Sequence, residues 1–146
     1  MFSIREAVKG DVESIRSFDR VAHADAERSN FIERSIAEGN CFVIAADNEN
    51  SLVAYGVLEY SFYNYGFISM LYVDPNHRRQ RYGAALMNHL ESMCRTGKIF
   101  TSTNLSNVLM QSLLSNLGYK LSGVIHNLDE DDPELVYCKV LRETAV

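Results

Sequence analysis

The stretch that most constrains the fold runs from residue 70 to residue 87 and reads MLYVDPNHRRQRYGAALM. Residues 66–73 are almost continuously apolar, which is typical of a central strand buried on both faces of a sheet. Asp74-Pro75-Asn76 ends that strand, because proline has no amide hydrogen for a sheet ladder. An arginine-rich loop follows, and Gly83 stands where a helix opens. The segment therefore predicts a buried strand that leads through a turn into a helix.

The opening of that helix has the chemistry to hold a diphosphate. The first amides of a helix have no partner within it, and the helix dipole adds partial positive charge there. Gly83 lets the main chain approach a ligand closely, and Arg78, Arg79 and Arg81 add charge beside it. The alternative is a solvated basic turn before an ordinary surface helix. The G-x-x-x-x-G-K-[ST] and G-x-G-x-x-G patterns of nucleotide-binding proteins are both missing, which disfavours nucleotide hydrolysis and dinucleotide binding.

The remaining periodicity predicts a mixed sheet with helices on its faces. A polar segment at 47–51 is expected to be the turn of a hairpin. The predicted order is β-α-α-β-β-β-α-β-α-β-β. Strands are predicted at 2–8, 41–47, 51–63, 66–73, 98–103, 119–125 and 135–141, and helices from Gly10-Asp11 to Ala22, at 26–38, from Tyr82 to Met93 and at 106–117.

Composition favours one folded intracellular domain. The chain has 146 residues, of which 47% are hydrophobic and 23% charged, enough for a substantial core. Its net charge of −5 argues against nucleic acid as a partner. The chain has three cysteines, Cys41, Cys94 and Cys138, which lie far apart in the sequence. This odd number and wide spacing favour neither a disulfide framework nor a metal site. The N-terminal segment MFSIREAVKGD carries charge almost at once and has no apolar h-region. No apolar run reaches the roughly 20 residues of a membrane helix, so a cytoplasmic protein without a membrane partner is expected.

Two segments resemble motifs of the GNAT superfamily of N-acetyltransferases. Residues 78–83, RRQRYG, resemble the coenzyme A-binding motif Q/R-x-x-G-x-G/A, with Arg81 at the position of the first glycine. Residues 107–119, NVLMQSLLSNLGY, resemble the segment N-x-x-A-x-x-L-Y-x-x-L-G-F. The opening IREAVKGDVESI is also similar to the family's first strand and helix. The resemblance therefore identifies residues 1–146 as a single acetyltransferase domain.

This resemblance implies a fold, a reaction and a set of binding residues. The fold would be a mixed, mostly antiparallel sheet of about seven strands flanked by about four helices. The reaction would move an acetyl group from acetyl-CoA to a primary amine of a small molecule or peptide, by direct attack on the thioester. A homodimer paired through the last strands stays an open alternative. The residues implied to bind the cofactor are Leu71, Tyr72, Val73, Arg78, Arg79, Gln80, Arg81, Tyr82, Gly83, Ala84 and Asn107.

The second motif departs from the family at a position that matters for catalysis. The tyrosine that often protonates the leaving thiolate would fall at Leu114, and leucine has no proton to donate. A thiol with a pKa of about 8.5 leaves readily as a thiolate, so water or another tyrosine can replace the missing acid. The alternative is a catalytically weak or inactive protein that binds acyl-CoA in a regulatory role.

The acceptor side of the site rests on weaker sequence signals. Glu59 is the candidate base that would deprotonate the amine, and its alternative is an ordinary solvent-facing strand residue. Tyr60, Tyr63 and Tyr137 are candidates for substrate binding, although tyrosines often simply cover a sheet. Further candidates for acceptor contact are His23, Asp25 and the acidic stretch 129–134, for which a solvated loop is the alternative. His77 is a candidate phosphate contact, with a plain turn residue as the alternative.

Overall fold

A computed structural model of the chain describes residues 1–46, 51–78 and 81–143. The predicted hairpin turn at 47–51 lies largely outside these residues. Two short 3-10 helices are present at Lys9–Asp11 and Pro75–His77. The described residues form seven strands: β1 Phe2–Glu6, β2 Cys41–Ala46, β3 Ser51–Phe62, β4 Tyr65–Val73, β5 Lys98–Asn104, β6 Lys120–Ile125 and β7 Glu134–Val140. The same part of the chain contains five α-helices: α1 Val12–Phe18, α2 Arg20–Ala24, α3 Ala26–Ala37, α4 Tyr82–Met93 and α5 Val108–Asn116.

The seven strands form one sheet in the order β1-β2-β3-β4-β5-β7-β6. The pairs β1–β2, β2–β3, β5–β7 and β6–β7 are antiparallel, whereas β4 and β5 are parallel. Tyr63 and Asn64 join β3 to β4 with φ angles of 52° and 67°, as the two-residue turn of a tight hairpin requires. The predicted mixed, mostly antiparallel sheet of about seven strands is confirmed.

The prediction of one helix from residue 11 to residue 22 is wrong, because this segment contains two helices, α1 and α2. Asp19 is extended, with φ −87° and ψ 98°, and its carboxylate accepts from the amides of Val21 and Ala22 at 3.0 and 3.1 Å. A side chain that caps the next helix stabilises a break in the chain. The apolar period continues across this break, and α2 therefore raises the count to five helices.

The chain divides into two compact units. The first comprises residues 1–58 and 70–92, and its core packs α1, α2 and α3 against β2 and β3. A Cβ on Gly56 would lie 3.0–3.3 Å from Leu90, Leu86 and the Met70 carbonyl, so α4 packs very closely on β3. The fully buried side chains of this unit include Ile15, Ile32, Ile44, Tyr55, Leu86 and Leu90.

The second unit comprises residues 59–69 and 93–146. Its strands β5, β7 and β6 pair along most of their length, and β6 lies at the edge of the sheet. Gly66 on β4 is a point of close approach, since a Cβ there would lie 2.4 Å from Cys94 Sγ. Ile99 and Leu114 are fully buried in this unit.

Strand β4 is central, as predicted, but it is not buried on both faces. Gly66 and Ile68 are buried, whereas Tyr65 is exposed and the other residues of the strand are half-buried. The apolar composition of the strand therefore reflects more than core packing. Several apolar side chains of this central strand are partly exposed.

Candidate active site

The turn after β4 is held by its own aspartate. The Asp74 amide donates to the Val53 carbonyl at 2.7 Å. The Asp74 carboxylate accepts from the amide of Asn76 at 3.0 Å and lies 3.2 Å from His77 Nδ1. His77, which the sequence suggested as a phosphate contact, is therefore engaged within the turn. The turn fixes the direction in which the chain leaves the sheet toward α4.

Arg78 folds back on the end of β4. Its Nε donates to the carbonyl of Val73 at 3.2 Å, and its guanidinium lies 5.7 Å from the centre of the Tyr72 ring. Arg79 and Gln80, which were predicted to bind the cofactor, lie outside the described residues. The chain is described again from Arg81 onward.

Arg81 occupies the glycine position of the loop in the conformation that a glycine would adopt. Its φ is +64°, in the left-handed region where a side chain is disfavoured. The Ala85 amide donates to the Arg81 carbonyl at 3.1 Å, which makes Arg81 the start of α4. The amides of Tyr82, Gly83 and Ala84 come before that bond and have no partner in the helical ladder. These amides are suited to an anion.

A buried polar network that the sequence did not reveal lies next to the ring of Tyr72. The carboxylate of Asp19 is fully buried and accepts from Arg28 Nε and Nη2, both at 2.9 Å, and from the Tyr55 hydroxyl. The Arg28 guanidinium then lies 5.4 Å from the Tyr72 ring centre. Burial and the bond to Asp19 raise the pKa of Tyr55 above its usual range. Arg28 on α3 therefore contacts one side of the Tyr72 ring. Contacts between residues this far apart in the chain produce no recognisable sequence pattern.

Glu59, the candidate base, is half-buried and held by two serine hydroxyls. Ser61 Oγ donates to Glu59 Oε1 at 2.8 Å, and Ser69 Oγ donates to Oε2. These contacts orient the carboxylate on the surface of β3 and β4.

The three candidate tyrosines lie in different surroundings. The Tyr60 hydroxyl accepts from the amide of Arg95 at 3.0 Å, and the Arg95 guanidinium lies 4.1 Å from its ring centre. Tyr63 is 82% exposed at the hairpin turn, whereas Tyr137 is only 9% exposed on β7. The structure does not gather these three side chains into one cluster of contacts among the described residues.

Asn107 and Leu114 belong to α5 in the second unit. Asn107 caps the helix, its Oδ1 accepting from the amide of Met110 at 3.1 Å. Its Nδ2 group is then the part of the side chain suited to donate to a ligand. Leu114 has no exposed surface. It is a core residue and cannot present a group to a substrate.

The other polar candidates have structural partners. Asp25 Oδ1 accepts from the Glu27 amide at 2.9 Å and thereby caps α3, while His23 is exposed in α2. In the acidic loop, Asp129 accepts from Asn104 Nδ2 at 2.9 Å, and Asp132 accepts from the amide and hydroxyl of Ser106 at 3.0 and 2.6 Å. Two of the five acidic side chains in this stretch therefore tie it to the end of β5 and the residues that follow.

No group of three or more His, Cys, Asp or Glu residues in the described part of the chain could hold a metal ion. No helix there is long and apolar enough to cross a membrane.

Comparison with known proteins agrees with this geometry. Residues 10–119 match the model of the acetyltransferase (GNAT) family. The chain belongs to the GNAT acetyltransferase family. A GNAT-family acetyltransferase from Bacillus cereus ATCC 10987 is 34% identical, with 98% of this chain and 99% of that chain covered and a TM-score of 0.89. No curated protein sequence matches the chain.

Two more distant structures share the GNAT fold. The ribosomal-protein-S18-alanine N-acetyltransferase from Escherichia coli is 18% identical with a TM-score of 0.81, covering 99% of this chain and 97% of that one. A putative acetyltransferase from Salmonella typhimurium, solved with its cofactor acetyl-CoA, is 18% identical with a TM-score of 0.78, covering 100% and 97%. At this identity the likeness concerns the fold alone.

Acetyl-CoA is the cofactor of the GNAT family, and the main-chain amides at the start of α4 are suited to an anionic group such as its diphosphate. Arg81, just before the first turn of α4, has the left-handed conformation that glycine adopts without strain. The chain is thus an acyltransferase of the GNAT family that uses acetyl-CoA.

Proposed function

We propose that this protein is an N-acetyltransferase that moves the acetyl group of acetyl-CoA to a primary amine of a small molecule or peptide. Membership of the GNAT family over residues 10–119 supports the class of reaction. One structural neighbour is named for N-acetylation of an alanine, which gives a precedent for an amine acceptor on this fold. The whole chain acts as one acetyltransferase domain in this proposal.

The observation that carries the proposal is the left-handed conformation of Arg81. It supports the proposal that the main-chain amides at the start of α4 bind the diphosphate of the cofactor. The arginines of the loop would add positive charge beside it. The pantetheine arm would run along the end of β4, beyond the three residue pairs that join β4 to β5 at Gly66–Ile68. The proposed cofactor-binding residues are Leu71, Tyr72, Val73, Arg78, Arg79, Gln80, Arg81, Tyr82, Gly83, Ala84 and Asn107.

Bound acetyl-CoA supplies the acetyl group as a thioester, whose carbon–sulfur bond breaks as the carbon–nitrogen bond to the amine forms. A lysine-like amine has a pKa of about 10.4 and is mostly protonated near neutral pH. In the proposal, a carboxylate oxygen of Glu59 accepts the proton that the amine must lose, directly or through one water. Ser61 and Ser69 hold that carboxylate in place. Tyr60, Tyr63 and Tyr137 remain candidates for contact with the acceptor.

The experiment that tests the base is the pH profile of the Glu59→Gln variant. Loss of a general base slows turnover by about 100-fold or more, and the deficit is largest at low pH, where deprotonation of the amine limits the rate. Glu13→Gln is the matched control, because Glu13 is 88% exposed and lies on α1 in the other unit. A pH profile of Glu59→Gln that matches the native profile would remove Glu59 from this role.

A second candidate function is a catalytically weak or inactive acyl-CoA-binding protein with a regulatory role. The complete burial of Leu114 favours it, since the position of the family's proton donor is part of the core. Tight binding of acetyl-CoA without thiol release on a broad panel of amines would support this function over the enzyme.

A cytoplasmic location and a homodimer belong to the same proposal. Cys41, Cys94 and Cys138 are all free thiols, as expected in a reducing compartment. Leu121 and Val124 are 56% and 46% exposed on the edge strand β6, which supports pairing of two copies through this edge. Sedimentation of the purified protein distinguishes the monomer from the dimer.

A further inference from the structure

A cluster of aromatic rings lies on the hairpin and its neighbouring strand in the second unit. The Phe62 ring stacks on Phe67 with centroids 5.3 Å apart and an interplanar angle of 23°. It also lies 4.9 Å from the ring of Phe100, and Tyr65 meets Phe100 edge-on at 5.7 Å. Phe67 and Phe100 face each other across the parallel pairing of β4 and β5. We refer to Phe62, Tyr65, Phe67 and Phe100 as the aromatic face.

The aromatic face is only partly covered, although it lies on central strands of the sheet, next to the hairpin turn at Tyr63 and Asn64. Phe62, Phe67 and Phe100 are half-buried, and Tyr65 is 39% exposed. A central strand of a sheet with helices on its faces is normally buried. Partly exposed aromatic surface at such a position is characteristic of binding sites.

A negative charge lies at one end of the aromatic face. Tyr65, Phe67 and Ser69 alternate along β4 and therefore share one side of the strand. Ser69 Oγ donates to the carboxylate of Glu59. Residues two apart on a strand are about 7 Å apart, so the carboxylate is anchored about 7 Å beyond the position of Phe67 along the strand.

We propose that the aromatic face and Glu59 together select the acceptor, and that the acceptor is a small primary amine with an aromatic or alkyl body. The ammonium group would meet the carboxylate of Glu59, and the apolar body would lie on Phe67 and Phe100. The proposal rests on the proposed N-acetyltransferase function and narrows its acceptor class.

The charge and the geometry both support this class of ligand. Apolar rings next to a single carboxylate complement a molecule with one positive charge and one apolar end. A spacing of about 7 Å matches a short chain between the nitrogen and the apolar body. An amino acid would place its own carboxylate near the carboxylate of Glu59, and the two like charges would repel each other.

Two measurements test the proposal, one of them independent of turnover. The chain contains no tryptophan, so Phe100→Trp gives it a single fluorophore on the aromatic face. Titration with phenethylamine, with CoA present in place of acetyl-CoA, is expected to give a saturable change in emission. Ethylamine has the same ammonium group without the ring and is expected to bind about tenfold or more weakly, since burying a ring contributes roughly 1.5–3 kcal/mol.

The second measurement is kcat/KM with acetyl-CoA for the same two amines. Phe67→Ala is expected to lower the ratio of kcat/KM for phenethylamine to kcat/KM for ethylamine by about tenfold or more. If the alanine variant does not fold, Phe67→Leu replaces it, because leucine removes the ring but preserves an apolar side chain. Leu121→Ala is the control, because Leu121 is a large apolar residue, 56% exposed, on the edge strand. It is expected to leave the preference unchanged.

The outcomes separate this proposal from the proposed function. Equal binding of the two amines, or an unchanged preference in both Phe67 variants, overturns the acceptor assignment even if thiol is released. The same holds if only diamines, amino acids or peptides are acetylated. If phenethylamine binds saturably but no amine causes thiol release, the proposed acetyltransferase activity is contradicted, whereas the proposed amine-binding site is supported.

Discussion

Two of the departures from the GNAT pattern, one before α4 and one within α5, have opposite structural outcomes. Arg81 stands at a glycine position and adopts the glycine conformation, with φ at +64°. Leu114 stands at a tyrosine position and is fully buried in the core. At the first departure the main chain is left-handed, whereas at the second the side chain has no proton to donate.

The difference follows from what each position contributes. A glycine in a phosphate-binding loop contributes its main-chain path, which another residue can follow at a cost of about 1–3 kcal/mol. A tyrosine that protonates a thiolate contributes its hydroxyl, which no rearrangement of a leucine can supply. Cofactor binding is therefore expected to survive in this chain, while protonation of the leaving group must come from elsewhere.

The largest effect is expected at Gly83. Gly83→Glu places a bulky anion at the opening of α4, where the diphosphate is proposed to bind, and calorimetric titration should detect no binding of coenzyme A. Gly10→Glu is the matched control, because nothing lies within 4 Å of a Cβ at Gly10, and it should bind as the native protein does. Unchanged affinity of Gly83→Glu would remove the phosphate-loop assignment.

An intermediate effect is expected at Leu114. Leu114→Tyr restores the family's residue type, but it overpacks a site without free space and should lower the free energy of unfolding by about 1–3 kcal/mol. Thiol release should not increase, because the new hydroxyl points into the core. Leu109→Tyr on the same helix, where Leu109 is 80% exposed, should leave stability nearly unchanged. A faster and equally stable Leu114→Tyr protein would contradict the burial argument.

The smallest effect is expected at Arg81 itself. Arg81→Gly relieves the left-handed conformation and should raise the free energy of unfolding by about 1 kcal/mol. Arg81→Ala also removes the charge but keeps the Cβ, so it should not stabilise the protein, and the two variants should weaken coenzyme A binding to a similar extent. Equal stabilisation by both variants, measured by chemical denaturation, would show that φ at Arg81 carries no strain.

The sequence was informative where structure depends on local pattern. Alternating and helical periods located all seven strands, and the motif at 78–83 located the start of α4 to within a residue. The break at Asp19 was missed because apolar spacing continues across it, and only the capping bonds to Val21 and Ala22 reveal it.

The sequence was uninformative where contacts join distant residues. The network of Asp19, Arg28 and Tyr55 behind Tyr72 brings together residues from three elements, and no spacing rule connects them. The aromatic face likewise depends on the pairing of β4 with β5, which sets Phe67 beside Phe100. Glu59 was selected from its place on the long strand, but its two serine partners became visible only in the folded chain.

Thermal melting with and without acetyl-CoA tests the central claim most directly. A ligand that binds only the native state at 100 times its Kd stabilises it by about 2.7 kcal/mol, which corresponds to a rise in Tm of roughly 5–10 °C for a chain of this size. We expect that rise for the native protein and none for Gly83→Glu. An unchanged Tm of the native protein at saturating acetyl-CoA would contradict the account, because the loop built around Arg81 would then not hold the cofactor.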